Sequence, residues 1–416
     1  MYRTAVVGLG LIGSSAARHL AETGDGVVGI GPAEPASIAD HTGVYASHYD
    51  EGRMTRIVDP SAEWAIAARR SIERYADLER RSGIRFFTPA GYLGIGQPGD
   101  DYNVRCATTG ETAGARPERL TADQIRQRFP YLAIGDDDDG LSEVGTAGHI
   151  SPRAMVAAQT ELARTAGAAI VRATATAIRP TSTGVEIDTD RGDPVVADRV
   201  LVTTGGFTSA CGLTEAELGL TVFGRTVVLA KIEGQLADEL SGMPTLIHGS
   251  TGAYILPPIR YPDGNAYLKI GIGTEADVRL TDLADLTAWF KGRGSERNRR
   301  EFTTFLTGLI PALRRSTSWH TATCVVTRTA SGLPIIDHVG DSGRIAVAVG
   351  GNGKGAKGAD EWGRIAARLV QGEPSDDQLR RRAFALRPPQ EDEDAIAPPD
   401  VVAADVAPPD RMASSS

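Results

Sequence analysis

Three glycines, Gly8, Gly10 and Gly13, stand at the spacing GxGxxG directly after a strand-like run at 3–7 that ends on Ala5-Val6-Val7 and before a helix-like segment at 14–23. Glycine there permits a tight turn, lets the backbone approach a pyrophosphate and allows close helix packing, while the helix N-terminus favours negative charge. The spacing points to a bound dinucleotide, and alone it does not separate FAD from NAD. The acid that normally holds the ribose hydroxyls at the end of the second strand is missing, because Gly31 is followed by Pro32. Glu34 is expected to reach the sugar from the loop, with backbone and water as the alternative. Two other groups of chemically capable residues carry less. The run Asp136 to Asp139 lacks the spaced ligands of a calcium loop and reads as a solvated acidic turn. Cys106, Cys211 and Cys324 are odd in number and contain no CxxC pair, so neither a disulfide framework nor a zinc site is expected.

The elements that must position the glycine turn are legible in the hydrophobic pattern. Residues 3–31 read as strand, glycine turn, helix and second strand, one βαβ unit. A helix is predicted over 62–81, where Trp64, Ala67, Ala68, Ile72, Tyr75 and Leu78 recur at helical spacing. Alternating stretches at 91–96, 171–178, 184–189, 199–204, 221–232, 253–256 and 266–272 read as strands. They follow one another without a helix between each pair, so a mixed or antiparallel sheet is expected beside the parallel one. The fold class is α/β plus α+β. Beyond Ala385 the chain turns into proline pairs, acidic residues and a serine run, and 386–416 is expected to be a disordered tail.

At 416 residues the chain exceeds a comfortable single core, so two domains are expected. A net charge of −9 disfavours general nucleic-acid binding, which needs a concentrated basic surface. No apolar run suggests a membrane span and the N-terminus lacks the pattern of a secretion signal, so a cytoplasmic monomer or small homo-oligomer is the expectation.

Several further motifs occur in a fixed order. Ser47 and His48 open a segment of the form SHxxxxRxxR that ends on Arg53 and Arg56. After it come Val202-Thr203-Thr204-Gly205-Gly206, Leu268-Lys269-Ile270-Gly271 and Cys324-Val325-Val326-Thr327-Arg328-Thr329. Ile335-Ile336-Asp337 and Gly350-x-x-Gly353-x-Gly355-x-Lys357 complete the set. Together, over about residues 3–375, they resemble the monomeric sarcosine oxidase and N-methyltryptophan oxidase family. The resemblance implies a Rossmann-like FAD-binding domain made from 1–85, 145–220 and 320–375, and a mixed-sheet substrate domain made from 86–144 and 221–319. It implies that Cys324 carries the flavin through a thioether and that Lys269 promotes reoxidation by O2. It likewise implies that Arg53 lies by the flavin ring and that Arg56 with Lys357 grips a substrate carboxylate. With the glycine turn and Glu34 already noted, the further cofactor contacts are expected at Gly8, Gly10, Gly13, Glu34, Ser47, His48, Gly205, Gly350, Gly353, Gly355 and Lys357. The chemistry fits these types: a guanidinium presents a planar fork to a carboxylate, a lysine adds a point charge, and glycines let the backbone N–H groups approach a ring.

The sequence departs from the family at three positions of the implied amine pocket. Gly273 and Lys354 replace histidines, and Val326 replaces an aromatic residue. Gly273 and Val326 are expected to enlarge the pocket, and Lys354 to add a cation for an acidic or carbonyl group. The implied reaction is hydride transfer from a C–N carbon of an amine, amino acid or cyclic imino acid other than sarcosine to flavin N5, with O2 reduced to H2O2. The alternatives are a dehydrogenase of the same fold with another acceptor, a 2-hydroxy-acid oxidase, and a non-catalytic flavin-binding protein.

Overall fold

The computed structural model describes residues 1–97, 99–374, 378–379 and 383–387. Apart from residues 386 and 387, the tail expected over 386–416 lies outside them.

The opening strand Tyr2–Val7 is buried from Thr4 onward and pairs in parallel with Val27–Ile30 on one side and Val195–Val202 on the other. The glycine-opened helix Leu11–Thr23 makes the crossover between the first two, as the βαβ pattern requires. Among the described residues this sheet has eight strands, in the order Ala175–Pro180, Val185–Thr189, Val195–Val202, Tyr2–Val7, Val27–Ile30, Ala169–Val171. Ile345–Val349 adds in parallel to Val195–Val202, and Ile335–Val339 pairs antiparallel to it. The alternating stretch read as one strand at 171–178 is two, Ala169–Val171 and Ala175–Pro180, at opposite ends of the sheet.

The second sheet has nine strands among the described residues and is almost wholly antiparallel, the pair Tyr92–Gly96 with Thr245–His248 being parallel. Its long strand Thr221–Ile232 holds Ala266–Gly271 on one flank and Trp319–Arg328 on the other. The strand carrying Cys324 is therefore built into this sheet, and a boundary at 320 falls one residue inside it. A third, three-stranded sheet joins Arg53–Thr55, Gly148–Ile150 and Phe87–Thr88.

Four helices are locked together by buried charge. Asp360, fully buried on Gly355–Gln371, accepts from Arg18 at 2.7 Å, Gln159 at 2.8 Å and Ser15 at 3.1 Å, and pairs with Arg74. Glu361 beside it takes Arg74 at 2.7 Å and Arg70 at 3.0 Å. These partners come from Leu11–Thr23, Ala62–Ser82 and Pro152–Thr165. A buried carboxylate of this kind is stable only while its partners remain, so the network fixes the mutual register of the helices. Two of them, Leu11–Thr23 and Gly355–Gln371, begin at glycine-rich loops that follow parallel strands, where open α/β sheets bind ligands.

Candidate active site

One cavity of about 660 Å³ runs along the carboxyl ends of Tyr2–Val7, Val195–Val202 and Ile345–Val349 and under the second sheet. Gly8 adopts φ +95°, and a β-carbon there would stand 2.9 Å from the Thr203 carbonyl. A β-carbon on Gly13 would lie 1.8 Å from the Gly8 oxygen and 2.3 Å from Thr203 Oγ1, so only hydrogen fits both positions. Thr203 Oγ1 donates to the Gly8 carbonyl at 2.6 Å and fixes the turn. At the other helix the backbone turns through Gly350, Asn352 and Gly353, all at positive φ, before Gly355 starts the helix. Asn352 stiffens the loop, its amide donating to the Gly350 carbonyl at 2.7 Å and its oxygen accepting from the Thr329 N–H at 2.9 Å.

The electrostatics of the wall are one-sided. Arg53, Arg56, Arg105, Arg225, Arg328, Lys354 and Lys357 line the cavity, and among the described residues no aspartate or glutamate does. Two helix N-termini, glycines without β-carbons and this excess of cations fit an anionic dinucleotide together with an anionic substrate. Gly8, Gly10, Gly205, Gly350, Gly353 and Gly355, with Ser47 and His48, are all in the wall. His48 is held neutral, with its pKa lowered to about 4 by burial and by Arg153, Arg53 and Arg172. Glu34 is not in the wall. Arg153 grips both of its oxygens at 2.6 Å, which draws the side chain away, and Gly31 and Pro32 line the cavity instead. The expectation that Glu34 reaches the ribose is corrected accordingly.

Cys324 lines the cavity as a free thiol, its carbonyl accepting from Trp289 Nε1 at 3.0 Å. Lys269 is buried behind the wall, where its ammonium donates to Asp50 at 2.7 Å and to the Gly52 carbonyl at 2.5 Å. Burial, followed by the Arg53 charge, pushes Lys269 well below its usual range, while Cys324 and Glu51 act in the opposite direction. Asp50 also pairs with Arg53, whose guanidinium donates to the carbonyls of Gly52 and Ser47 at 2.9 Å. One carboxylate thus anchors both cations.

Three other cations of the wall, Arg56, Lys354 and Lys357, converge on an acid that lies outside the conspicuous motifs. Asp59, fully buried, takes Lys357 at 2.5 Å and Lys354 at 3.3 Å, with Arg56 at 3.9 Å. Arg56 also donates to the Tyr102 hydroxyl at 2.9 Å and stacks over the Tyr92 ring at 4.9 Å. Burial opposes the charge on Asp59, but Lys357, Lys354 and Arg56 outweigh it and hold the carboxyl below its ordinary range. Burial lowers Lys357 to about 8 in spite of Asp59. Three cations on one anion leave a positive excess facing the cavity, and Lys354 belongs to this cluster rather than to a separate pocket.

Of the other departures, Val326 is in the wall and Gly273 is not. A β-carbon on Gly273 would stand 2.7 Å from Arg225 Nη2. The missing side chain therefore makes no extra room: Arg225 fills the space, and the expected enlargement at Gly273 is corrected. Tyr254 lines the same region, its pKa pushed up to about 12 by burial first and by Cys324 second.

The family model described as DAO, FAD dependent oxidoreductase, matches residues 3–369. Monomeric sarcosine oxidase of Bacillus sp. (strain B-0618) is 24% identical over 379 residues, 88% of this chain and 91% of that protein. Monomeric sarcosine oxidase of Streptomyces avermitilis is 34% identical over 171 residues, 40% of this chain and 42% of that protein. Among solved structures, glycine oxidase from Geobacillus kaustophilus has the same fold, with a TM-score of 0.71 at 22% identity and coverage of 94% of this chain and 99% of that one. No described helix is long and apolar enough to cross a membrane. A glycine cradle between parallel strands, a wall rich in cations and a family match over nearly the whole described chain agree with one another: the protein belongs to the DAO family of FAD-dependent oxidoreductases.

Proposed function

We propose that this oxidoreductase oxidises the C–N bond of an amino acid or N-substituted amino acid that carries a free carboxylate. The observation that carries the reading is the cluster of Arg56, Lys354 and Lys357 on Asp59, which leaves excess positive charge in the wall of the cavity that suits FAD. When bound, FAD supplies the hydride acceptor and, once reduced, passes the electrons to O2 to give H2O2. The chain's own residues bind and orient. Arg56 presents its guanidinium from a fixed stack on Tyr92, and Lys357 adds a point charge, so a substrate carboxylate is held at two places. Asp59 keeps the two lysines in position without entering the cavity wall. Lys269 and Arg53 place two fixed cations around Asp50, next to Cys324, where negative charge passing to O2 is stabilised without reorganisation. Cys324 is the residue proposed to bind FAD covalently. Sarcosine oxidases among the relatives support the reaction class, and the changes at Val326 and Lys354 support a substrate other than sarcosine. The test is turnover of amino acids and N-methyl amino acids against their methyl esters, read as H2O2 and as dye reduction. Free acids are expected to react and esters to be slow. H2O2 absent while dye is reduced would assign a dehydrogenase.

A further inference from the structure

Arg225 sits on the long strand Thr221–Ile232, directly opposite Cys324 in the register. It is 8% exposed and lines the cavity. Its Nε donates to Asp277 at 2.8 Å, and among the described residues its two terminal nitrogens have no hydrogen-bond partner. Asp277 is not in the wall, so the acid holds the guanidinium from behind and leaves its fork open. The fork occupies the space that any side chain at position 273 would need. The two terminal nitrogens are not among the buried atoms that lack a partner, so the fork is reachable from the cavity and open to an acceptor that enters it. The clamp of Arg56, Lys354 and Lys357 is a separate cluster around Asp59 in the wall of the same cavity.

We infer that Arg225 is a specificity-determining residue that binds a second anionic group of the substrate, so that the preferred substrates are dicarboxylic amino or imino acids. This rests on the reading of Arg56, Lys354 and Lys357 as the grip on the first carboxylate. A planar fork matches a carboxylate in two parallel hydrogen bonds, a geometry that a neutral substituent does not complete. Asp277 serves as a positioning residue for Arg225, and Gly273 is the position that must stay small for the guanidinium to reach the cavity.

The test does not require turnover. The FAD-loaded protein is titrated calorimetrically with succinate, glutarate and adipate, each against the monoacid of equal carbon count. At least one diacid is expected to bind about 10- to 100-fold tighter than its monoacid, the range of a hydrogen bond to a charged group. Arg225→Gln is expected to cut that ratio to about threefold or less. Gly273→Ala, which keeps the charge but displaces the guanidinium, is expected to do the same. Should loss of Arg225 leave the buried Asp277 too costly for folding, Arg225→Gln combined with Asp277→Asn provides the same comparison. No diacid preference in the wild type, or a preference that survives these substitutions, would overturn the inference. If the diacid preference is present and lost with Arg225, yet no amine reduces the flavin anaerobically, then C–N oxidation fails and the second-anion site stands.

Discussion

Replacing Asp59 by asparagine removes the one negative charge on which three cations of the proposed clamp converge. The carboxylate is fully buried and 2.5 Å from Lys357. At an effective dielectric of about 20, unit charges at that distance attract by roughly 7 kcal/mol. Desolvation offsets much of this, and breaking a buried pair from one side costs about 3–5 kcal/mol of stability. The consequence for binding is more specific. Lys357 stands at about 8, with burial, Arg56 and Lys354 lowering it and Asp59 raising it. Without Asp59 only the lowering influences remain, so the proton leaves at a lower pH. The assay is the affinity of the FAD-loaded protein for butyrate, which has no group titrating near neutrality, measured from mildly acidic to alkaline pH. Wild-type affinity is expected to hold below about pH 8 and to weaken as pH rises through it, because deprotonation removes the charge that attracts the ligand. In the limit where binding needs the ammonium, the loss approaches about tenfold per pH unit. Asp59→Asn is expected to move the break to lower pH. The double variant Asp59→Asn, Lys357→Met is expected to abolish the break and recover part of the lost stability, since removing both partners of a buried pair costs less than removing one. A break at the same pH in wild type and Asp59→Asn would refute the reasoning.

Three further outcomes are expected. In acid-precipitated protein, flavin remains with the wild-type polypeptide and is released from Cys324→Ala; release from both would remove the covalent link. Lys269→Met slows reoxidation of the reduced enzyme by O2 by about 10²- to 10³-fold, the scale of one preorganised charge, while stopped-flow reduction by the amine keeps its rate; equal slowing of both half-reactions would assign Lys269 a structural role. Gly13→Ala forces a methyl group into the 1.8 Å gap to the Gly8 oxygen, and the purified protein is expected to carry little or no flavin by absorbance; a full flavin complement would show that the turn relaxes without loss of the cradle.

Much of this site is written locally in the chain, and the part that is not depends on contacts between distant segments. The βαβ opening and the helix over Ala62–Ser82 are legible because a 3.6-residue apolar period and a glycine turn are local signals. The strand pairings are not: 171–178 alternates as one strand, yet a bend over 172–174 and a change of partner divide it between two edges of the sheet. Of the tail expected over 386–416, all but residues 386 and 387 lie outside the described residues. At the site, Arg56, Lys357 and Lys354 stand out as cations in conspicuous motifs, but their common partner Asp59 is one acid in a segment that follows the motif. The Arg56-x-x-Asp59 spacing in an otherwise apolar stretch, Ile57-Val58, was the available signal. Arg225 gave none, since nothing in the strand pattern reports that the space beside Gly273 belongs to a residue 48 positions earlier. Glu34 illustrates the converse. Its position after the second strand is suited to a ribose contact, and an arginine from a helix more than a hundred residues away takes it.

Anaerobic mixing of the FAD-loaded protein with a panel of amino acids, N-methyl amino acids and their methyl esters tests the central claim most directly. Loss of oxidised-flavin absorbance with free amino acids, strongly slowed for the esters and for the wild-type substrates when Arg56 is replaced by methionine, is the expected result. Oxidised flavin persisting with every amine, or bleaching only with 2-hydroxy acids, would contradict the assignment of C–N oxidation to this site.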